Sequence, residues 1–442
     1  MTTPADLAIH ARWVIPVEPE GEILEQHAIV VRDGRILALL PSTEARRQFH
    51  AHTSVELPDH VLIPGFVNAH THTPMSLLRG AAEDMSPTLP LPELAWTTES
   101  RWMSAEFVRD GSELAMVRML RSGTTCFNDM YFFPEVTAEA AQRCGLRACL
   151  GMIVTDVPSA WAGGAHEYLA KGTALRDQHK DEPLLSFAFA PIAPCAMATS
   201  RLKEIRTLAD ELDVPVHAEL NATAAEIQLC LQQHAARPLA YLDGLGWLTS
   251  NLIAAYMTLP TDSEIAGLAR AGVQVVHCPE SSLGLARGFC PVARLLAAGV
   301  NVALGTGGSA VDMLAEMRCA ALLAKAVAGD AQALPPASVL RMATLNGARA
   351  LGLDHATGSL LPGKWADLVA VDMNVPECRP LYDPLSQLVY SASRSQVSDV
   401  WVAGRQLLRA GELTTLDQDA ILARATRWQE SGHDATPEAA SA

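Results

Sequence analysis

The chain has 442 residues, is 49% hydrophobic and carries a formal net charge of -16, with a pI near 5.3. That length and apolar content suffice for a large core, and an acidic chain without a basic stripe argues against nucleic acid or an anionic membrane as partner. The first residues lack the charged and apolar regions of a signal peptide, no apolar run is long enough for a bilayer, and nine cysteines, an odd number, sit in apolar or helical contexts, so a cytoplasmic protein with reduced thiols is expected.

In chain order, Leu7–Ile15, Ala28–Arg32 and Arg35–Leu39 read as strands, with Asp33-Gly34 as a hairpin turn between the last two. From residue 61 the pattern changes. Eight short apolar segments, 61–67, 124–129, 147–152, 184–190, 214–220, 252–256, 273–278 and 300–306, alternate with amphipathic stretches such as 200–212, 223–234, 262–271 and 291–298. Strands separated by helices imply a parallel sheet, and eight such units imply a closed (β/α)8 barrel of the TIM type. An open doubly wound sheet fits less well, because no glycine-rich phosphate turn follows the first strand. Near the C-terminus 366–372, 399–403 and 405–408 read as strands again. The expected organisation is a barrel over 61–360 carrying a small β-sandwich built from 1–60 and 361–442. The polar, alanine-rich tail from about Ser431 is expected to fray.

The most informative stretch is Asn68-Ala69-His70-Thr71-His72, directly after the first barrel segment. Strand alternation sends His70 and His72 to the same side, and two imidazoles on one face suit a divalent metal. A bare H-x-H is also compatible with two histidines bonding locally. In the fifth segment His217 and Glu219 share a face by the same alternation.

The segments Pro64–His72 and Ser76–Gly80, Gly123–Tyr131, Val276–Ser281, Ala303–Thr306, Ala343–Ala348 and Gly358–Leu368 resemble the amidohydrolase superfamily. The likeness is greatest to the zinc aminohydrolases that deaminate 5′-methylthioadenosine and S-adenosylhomocysteine, kin to the chlorotriazine hydrolases. It spans nearly the whole chain and implies a (β/α)8 barrel, a cytoplasmic location, a homodimer or larger homo-oligomer, and a small nitrogen heterocycle as substrate. It also implies a metal held by the H-x-H pair, a His ending the fifth strand and an Asp ending the eighth. A Glu three residues after the fifth-strand His moves protons, a His ends the sixth strand, and activated water attacks the amidine carbon while an acid protonates the leaving amine.

Several of those positions differ here. Glu219 stands where the metal His is expected, Ala222 at the proton-moving Glu, Tyr256 at the sixth-strand His and Gly307 at the eighth-strand Asp; Ile192 follows the fourth strand where a substrate-binding His is expected. Two His and one Glu are still a workable zinc set, so His70, His72 and Glu219, with His217 next, are the metal candidates, and the expectation is no metal or weakly bound zinc. Glu219, Tyr256, His217 and His277 are the candidate catalytic groups, and Ile192, Asp129, Ala222, Gly307 and Asp312 the candidate ligand-facing positions. His277 reads equally well as a structural histidine and Asp129 as a backbone partner. The exchanges are expected to leave a roomier, more apolar mouth, with Glu219 raised in pKa when no metal holds it. Three functions compete. The first is acid–base chemistry on a small nitrogen heterocycle without standard zinc hydrolysis. The second is a non-catalytic binding module, and the third a zinc aminohydrolase with a rewired ligand set.

Overall fold

The computed structural model describes residues 2–80, 102–308 and 310–433; the expected fraying of the tail falls mostly outside them. Among the described residues, sixteen strands form two sheets of eight. The first sheet belongs to the chain ends: β1 (Thr3–Val14), β2 (Leu24–Arg32), β3 (Arg35–Pro41) and β4 (Phe49–Pro64) join β13 (Leu368–Asp372), β14 (Val397–Val402), β15 (Arg405–Arg409) and β16 (Glu412–Leu413), in the order β16-β15-β14-β13-β4-β1-β2-β3. The seam is antiparallel, with Leu368 opposite Pro64 and Val371 opposite Val61. Asp33 and Gly34, with φ of 51° and 72°, make the expected tight turn between β2 and β3.

The second sheet is the barrel: β5 (Phe66–Thr71), β6 (Thr124–Asp129), β7 (Arg147–Val154), β8 (Leu185–Pro191), β9 (Val216–Leu220), β10 (Leu252–Tyr256), β11 (Gln274–His277) and β12 (Asn301–Leu304), each parallel to the next. It closes between β5 and the end of β12: Thr306 N donates to His70 O (2.9 Å), His72 N to Gly307 O (3.1 Å), and the Asn68 amide exchanges hydrogen bonds with Thr306. The (β/α)8 expectation therefore holds, and its strands are buried on both faces, as their continuous apolar runs require.

One boundary differs from the sequence reading. The segment 61–67 is not one strand; 61–64 ends β4 in the end sheet and Phe66 opens the barrel. Pro64-Gly65 makes the break. A Cβ on Gly65 would lie 2.0 Å from the Thr125 hydroxyl oxygen on β6, so only glycine lets the chain pass this close. A buried ion pair ties the two sheets together. Arg147, opening β7, reaches Asp367 just before β13 (Nη2 to Oδ2 3.2 Å), and Asp367 also accepts from Thr357 (2.9 Å) and the Ala403 amide (2.7 Å).

Candidate metal centre at the barrel mouth

The expected pair of histidines meets its expected partner. His70 ends inside β5 and His72 lies just past it, their ring centroids 4.9 Å apart, and β9 brings His217 and Glu219 to the same side. Glu219 Oε1 lies 3.1 Å from His72 Nε2 and 3.6 Å from His70 Nε2. One ligand atom from each of His70, His72 and Glu219 falls within 4.8 Å of the others, a grouping that suits a divalent cation.

The ring orientations are fixed from behind. His72 Nδ1 donates to the Met130 carbonyl at 2.7 Å, which leaves its Nε2 turned to Glu219. His70 Nδ1 shares a hydrogen bond with His217 Nε2 (2.9 Å), and Asn128, held by the Ala69 carbonyl, approaches His217 Nδ1 at 3.2 Å. Among the described residues, His70 Nε2 is buried without a hydrogen-bond partner. An imidazole nitrogen left free to face a carboxylate and a second imidazole is a donor set that a divalent cation would satisfy. The residues fit a divalent metal.

The electrostatics reverse one expectation. Burial raises the Glu219 carboxyl, but the hydrogen bond from His72 and the close imidazole of His70 outweigh it and hold the group well below the usual carboxylate range. Burial lowers His70, and His217 further still. His72 is raised, because its bond to Glu219 overcomes burial. Glu219 is thus a standing anion between imidazoles rather than a neutral acid.

Tyr256 corrects a second expectation. Its ring packs edge-on against His70 (centroids 5.3 Å apart), and its hydroxyl lies 3.3 Å from Ser281 Oγ. A Cβ on Gly307 would sit 2.8 Å from the Tyr256 hydroxyl and 2.8 Å from Ser281. The position that replaces an expected carboxylate is therefore filled by the phenol, and the mouth is not roomier there. Tyr256 holds φ of 74°, the left-handed region that an aromatic residue rarely adopts. Such strain persists only where the surroundings over-determine it.

Several other candidates do not join the three ligand groups, although Asp129 lies close enough to His72 to help raise it. Asp129 accepts from the Thr73 amide at 2.7 Å, and burial pushes it up to about 6. Asp312 caps the helix Met313–Ala328, accepting from Leu314 N and Ala315 N. Ile192 is half-buried against the main core. Ala222 is buried, and its amide donates to Glu226 at 2.7 Å, a carboxylate that turns back to the chain and that burial pushes up to about 7. Arg287 escaped the sequence reading: its guanidinium lies 4.5 Å over the Tyr256 ring, with Nη1 3.8 Å from Glu219 Oε2. A lone arginine in the coil after the seventh barrel strand carries no spacing signal. Asn128 and Met130 were missed because a backbone carbonyl and an amide that orient a ring leave no sequence pattern.

His277 ends β11, fully buried, with Nδ1 unpartnered among the described residues. Burial lowers its pKa from 6.5 to about 3. The native state therefore disfavours the proton that the unfolded chain accepts below about pH 6.5. Its contribution to stability is complete above pH 6.5 and is lost as pH falls towards 3, at about 1.4 kcal/mol per pH unit. Urea unfolding in chelator at pH 7 and pH 5 should show a loss about 2 kcal/mol smaller in His277→Gln than in the wild-type protein. Equal losses in the two proteins would show that His277 is not held neutral.

The sequence matches the amidohydrolase family over residues 61–407. The chain belongs to the amidohydrolase family. It is 44% identical to a protein named 5-methylthioadenosine/S-adenosylhomocysteine deaminase from Teredinibacter turnerae, over 97% of this chain and 98% of that one, and 41% identical to one of the same name from Saccharophagus degradans, over 97% of each. Among solved structures, an adenosine deaminase from Xanthomonas campestris with bound zinc superposes with a TM-score of 0.97 at 47% identity, covering 98% of this chain and all of that one. A triazine hydrolase variant superposes with a TM-score of 0.89 at 22% identity over 96% of this chain, a likeness of fold. Among the described residues of this amidohydrolase, no helix is long and apolar enough to cross a membrane.

Proposed function

We propose that this amidohydrolase is a zinc-dependent aminohydrolase of a nitrogen heterocycle, working with a rewired ligand set. The observation that carries the reading is the convergence of His70, His72 and Glu219, with His70 Nε2 left without a partner. Two imidazoles and one carboxylate would hold the ion, and a divalent metal there supplies an activated water at neutral pH. The chain's own groups do the rest. Met130 O and the Asn128–His217 pair hold the two imidazoles in orientation. Glu219 brings a standing negative charge to the centre. Tyr256 and Arg287 wall one side. The relatives' printed names make methylthioadenosine and adenosylhomocysteine the first substrates to try.

Ala222 limits the rate. No side chain at 222 can protonate the leaving amine, and such acid–base assistance contributes roughly 10²–10⁴-fold. Turnover should therefore fall below about 0.1 per second, under the ordinary enzyme range of roughly 1–10³ per second. The test combines metal analysis of native protein with zinc-dependent ammonia release from a panel of amino-heterocycles that includes both nucleosides. Zinc should be retained, and His70→Ala and Glu219→Ala should each weaken its binding at least about a hundredfold, since each removes one of only three ligands. Protein that holds no zinc, or zinc retained equally by both variants, would sink the reading.

A non-catalytic binding role is the second reading, favoured by Ala222 and by the filled space at Gly307. It predicts ligand binding with no zinc-dependent product.

A further inference from the structure

A cation at the mouth stands outside the three ligand groups. Arg287 lies in the coil after β11, and its side chain is only 19% exposed. Its Nε and Nη1 are buried and make no hydrogen bond among the described residues. No other described arginine has two such nitrogens. A buried donor left without an acceptor is costly, most of all on a charged group. Arg147 and Arg237 show the ordinary arrangement, donating from Nε to Asp367 at 3.2 Å and to Glu264 at 2.9 Å. Arg287 Nη1 lies 3.8 Å from Glu219 Oε2, beyond hydrogen-bond reach.

The guanidinium is held beside the ligand groups. Its Cζ lies 4.5 Å over the Tyr256 ring, which packs edge-on against His70. Glu219 turns Oε1 to the imidazoles of His70 and His72 and Oε2 to Arg287, so one carboxylate separates the guanidinium from the two histidines. The backbone is placed as well. The Thr258 hydroxyl lies 3.0 Å from the Asn221 and Ala222 carbonyls and 3.2 Å from that of Arg287. Arg287 thus borders the position where Ala222 offers no working side chain. It also stays charged: burial lowers its pKa, but Tyr256 and Glu219 beside it outweigh burial and raise it.

A guanidinium donates and cannot accept. What these two nitrogens lack is an acceptor, and a ligand can deliver one. An amino-heterocycle carries an acceptor next to its reacting carbon, the ring nitrogen of the amidine. Addition of water to that carbon breaks the C=N π bond and puts its electron pair on the ring nitrogen. The pair returns as the C–N bond to the amine breaks, and the amine leaves as ammonia with a proton from the same water. The ring nitrogen is therefore an acceptor before the reaction and an anion during it. A fixed charged donor aimed at such developing charge assists without giving up its own proton.

We propose that Arg287 donates to the amidine ring nitrogen of the substrate and is a catalytic residue that stabilises the charge formed there. The inference rests on the aminohydrolase reading of His70, His72 and Glu219. It narrows the substrate class to rings with an unprotonated, unsubstituted nitrogen beside the amino-bearing carbon.

The test is equilibrium binding to the zinc-loaded full chain, read by calorimetry with purine ribonucleoside and its 1-deaza analogue. Neither has an amino group to lose, and they differ only in the ring nitrogen assigned to Arg287. The wild-type protein should bind the parent at least about tenfold tighter, as a charge-assisted hydrogen bond warrants. Arg287→Met and Arg287→Gln should each erase that difference and retain zinc as firmly as the wild-type protein, since Arg287 is not among the ligand groups. With a nucleoside that is turned over, both variants should lower kcat at least about a hundredfold, near what the loss of one such donor costs, and by more than they raise KM. Equal affinity of the wild-type protein for the two ligands, or a difference that survives in either variant, overturns the inference and leaves the metal reading standing. A difference that depends on Arg287 in protein that holds no zinc keeps the inference and sinks the metal reading. If neither ligand binds, the inference fails.

Discussion

Replacing Glu219, Ala222, Tyr256 and Gly307 together, by His, Glu, His and Asp, should raise deamination of the best nucleoside substrate at least about 10²-fold and up to about 10⁴-fold. The lower figure is the modest end of what a positioned general acid contributes; a fuller ligand set that activates water adds to it. The gain should need the set. Ala222→Glu alone leaves a three-ligand metal and a phenol in the way of the fourth ligand, and should raise the rate little. The measurement is initial rate with zinc in excess, for each single variant and for the quadruple. A quadruple variant that folds and binds zinc yet gains nothing would show that the mouth has diverged from its relatives beyond these four positions.

Gly307→Asp by itself should destabilise the protein by about 2–4 kcal/mol. Two effects add. The backbone at 307 has φ of 68°, a region that costs a side chain roughly 1 kcal/mol or more, and the new Cβ would approach the Tyr256 hydroxyl and Ser281 at 2.8 Å. Overpacking of a buried site adds typically 1–3 kcal/mol. Shortening Tyr256 to His should recover at least half of the loss, so that the two changes together are far less harmful than their sum. Urea unfolding midpoints of the two singles and the double make the cycle. If Tyr256→His recovers nothing, the phenol is not what fills the space at Gly307, and residues 256 and 307 are independent. The coupling explains how a ligand position can be lost from the end of the eighth barrel strand without leaving a hole: the aromatic ring at the end of the sixth took the volume.

Much of the barrel was legible because its signals are local. Short β-branched runs punctuated by amphipathic helices announce parallel strands, and helix caps such as Thr223 and Thr261 lie where the sequence suggests a start. The triad was also legible, since alternation puts His70 with His72 and His217 with Glu219, and the resemblance to the amidohydrolases implies that the two pairs meet. What escaped depends on distance in space. The handover at Pro64-Gly65 is set by Thr125 on another strand. The low pKa of Glu219 comes from two imidazoles on β5 and just beyond it. The place of Tyr256 follows from an absent side chain on the opposite part of the mouth. Composition at 256 or 307, read singly, shows an apolar exchange; only their contact shows a swap.

The seam between β4 and β13 has a further consequence, which concerns synthesis rather than catalysis. Val61 to Pro64 must wait for Leu368 to Val371 before their outer edge is paired. A ribosome adding roughly 5–20 residues per second leaves that edge open for tens of seconds while the whole barrel emerges. The exposed edge belongs to a run of Val, Leu and Ile, the composition that invites strand addition from neighbouring chains. The nascent protein is therefore most vulnerable early, and truncation after the barrel should yield aggregate rather than a smaller soluble domain.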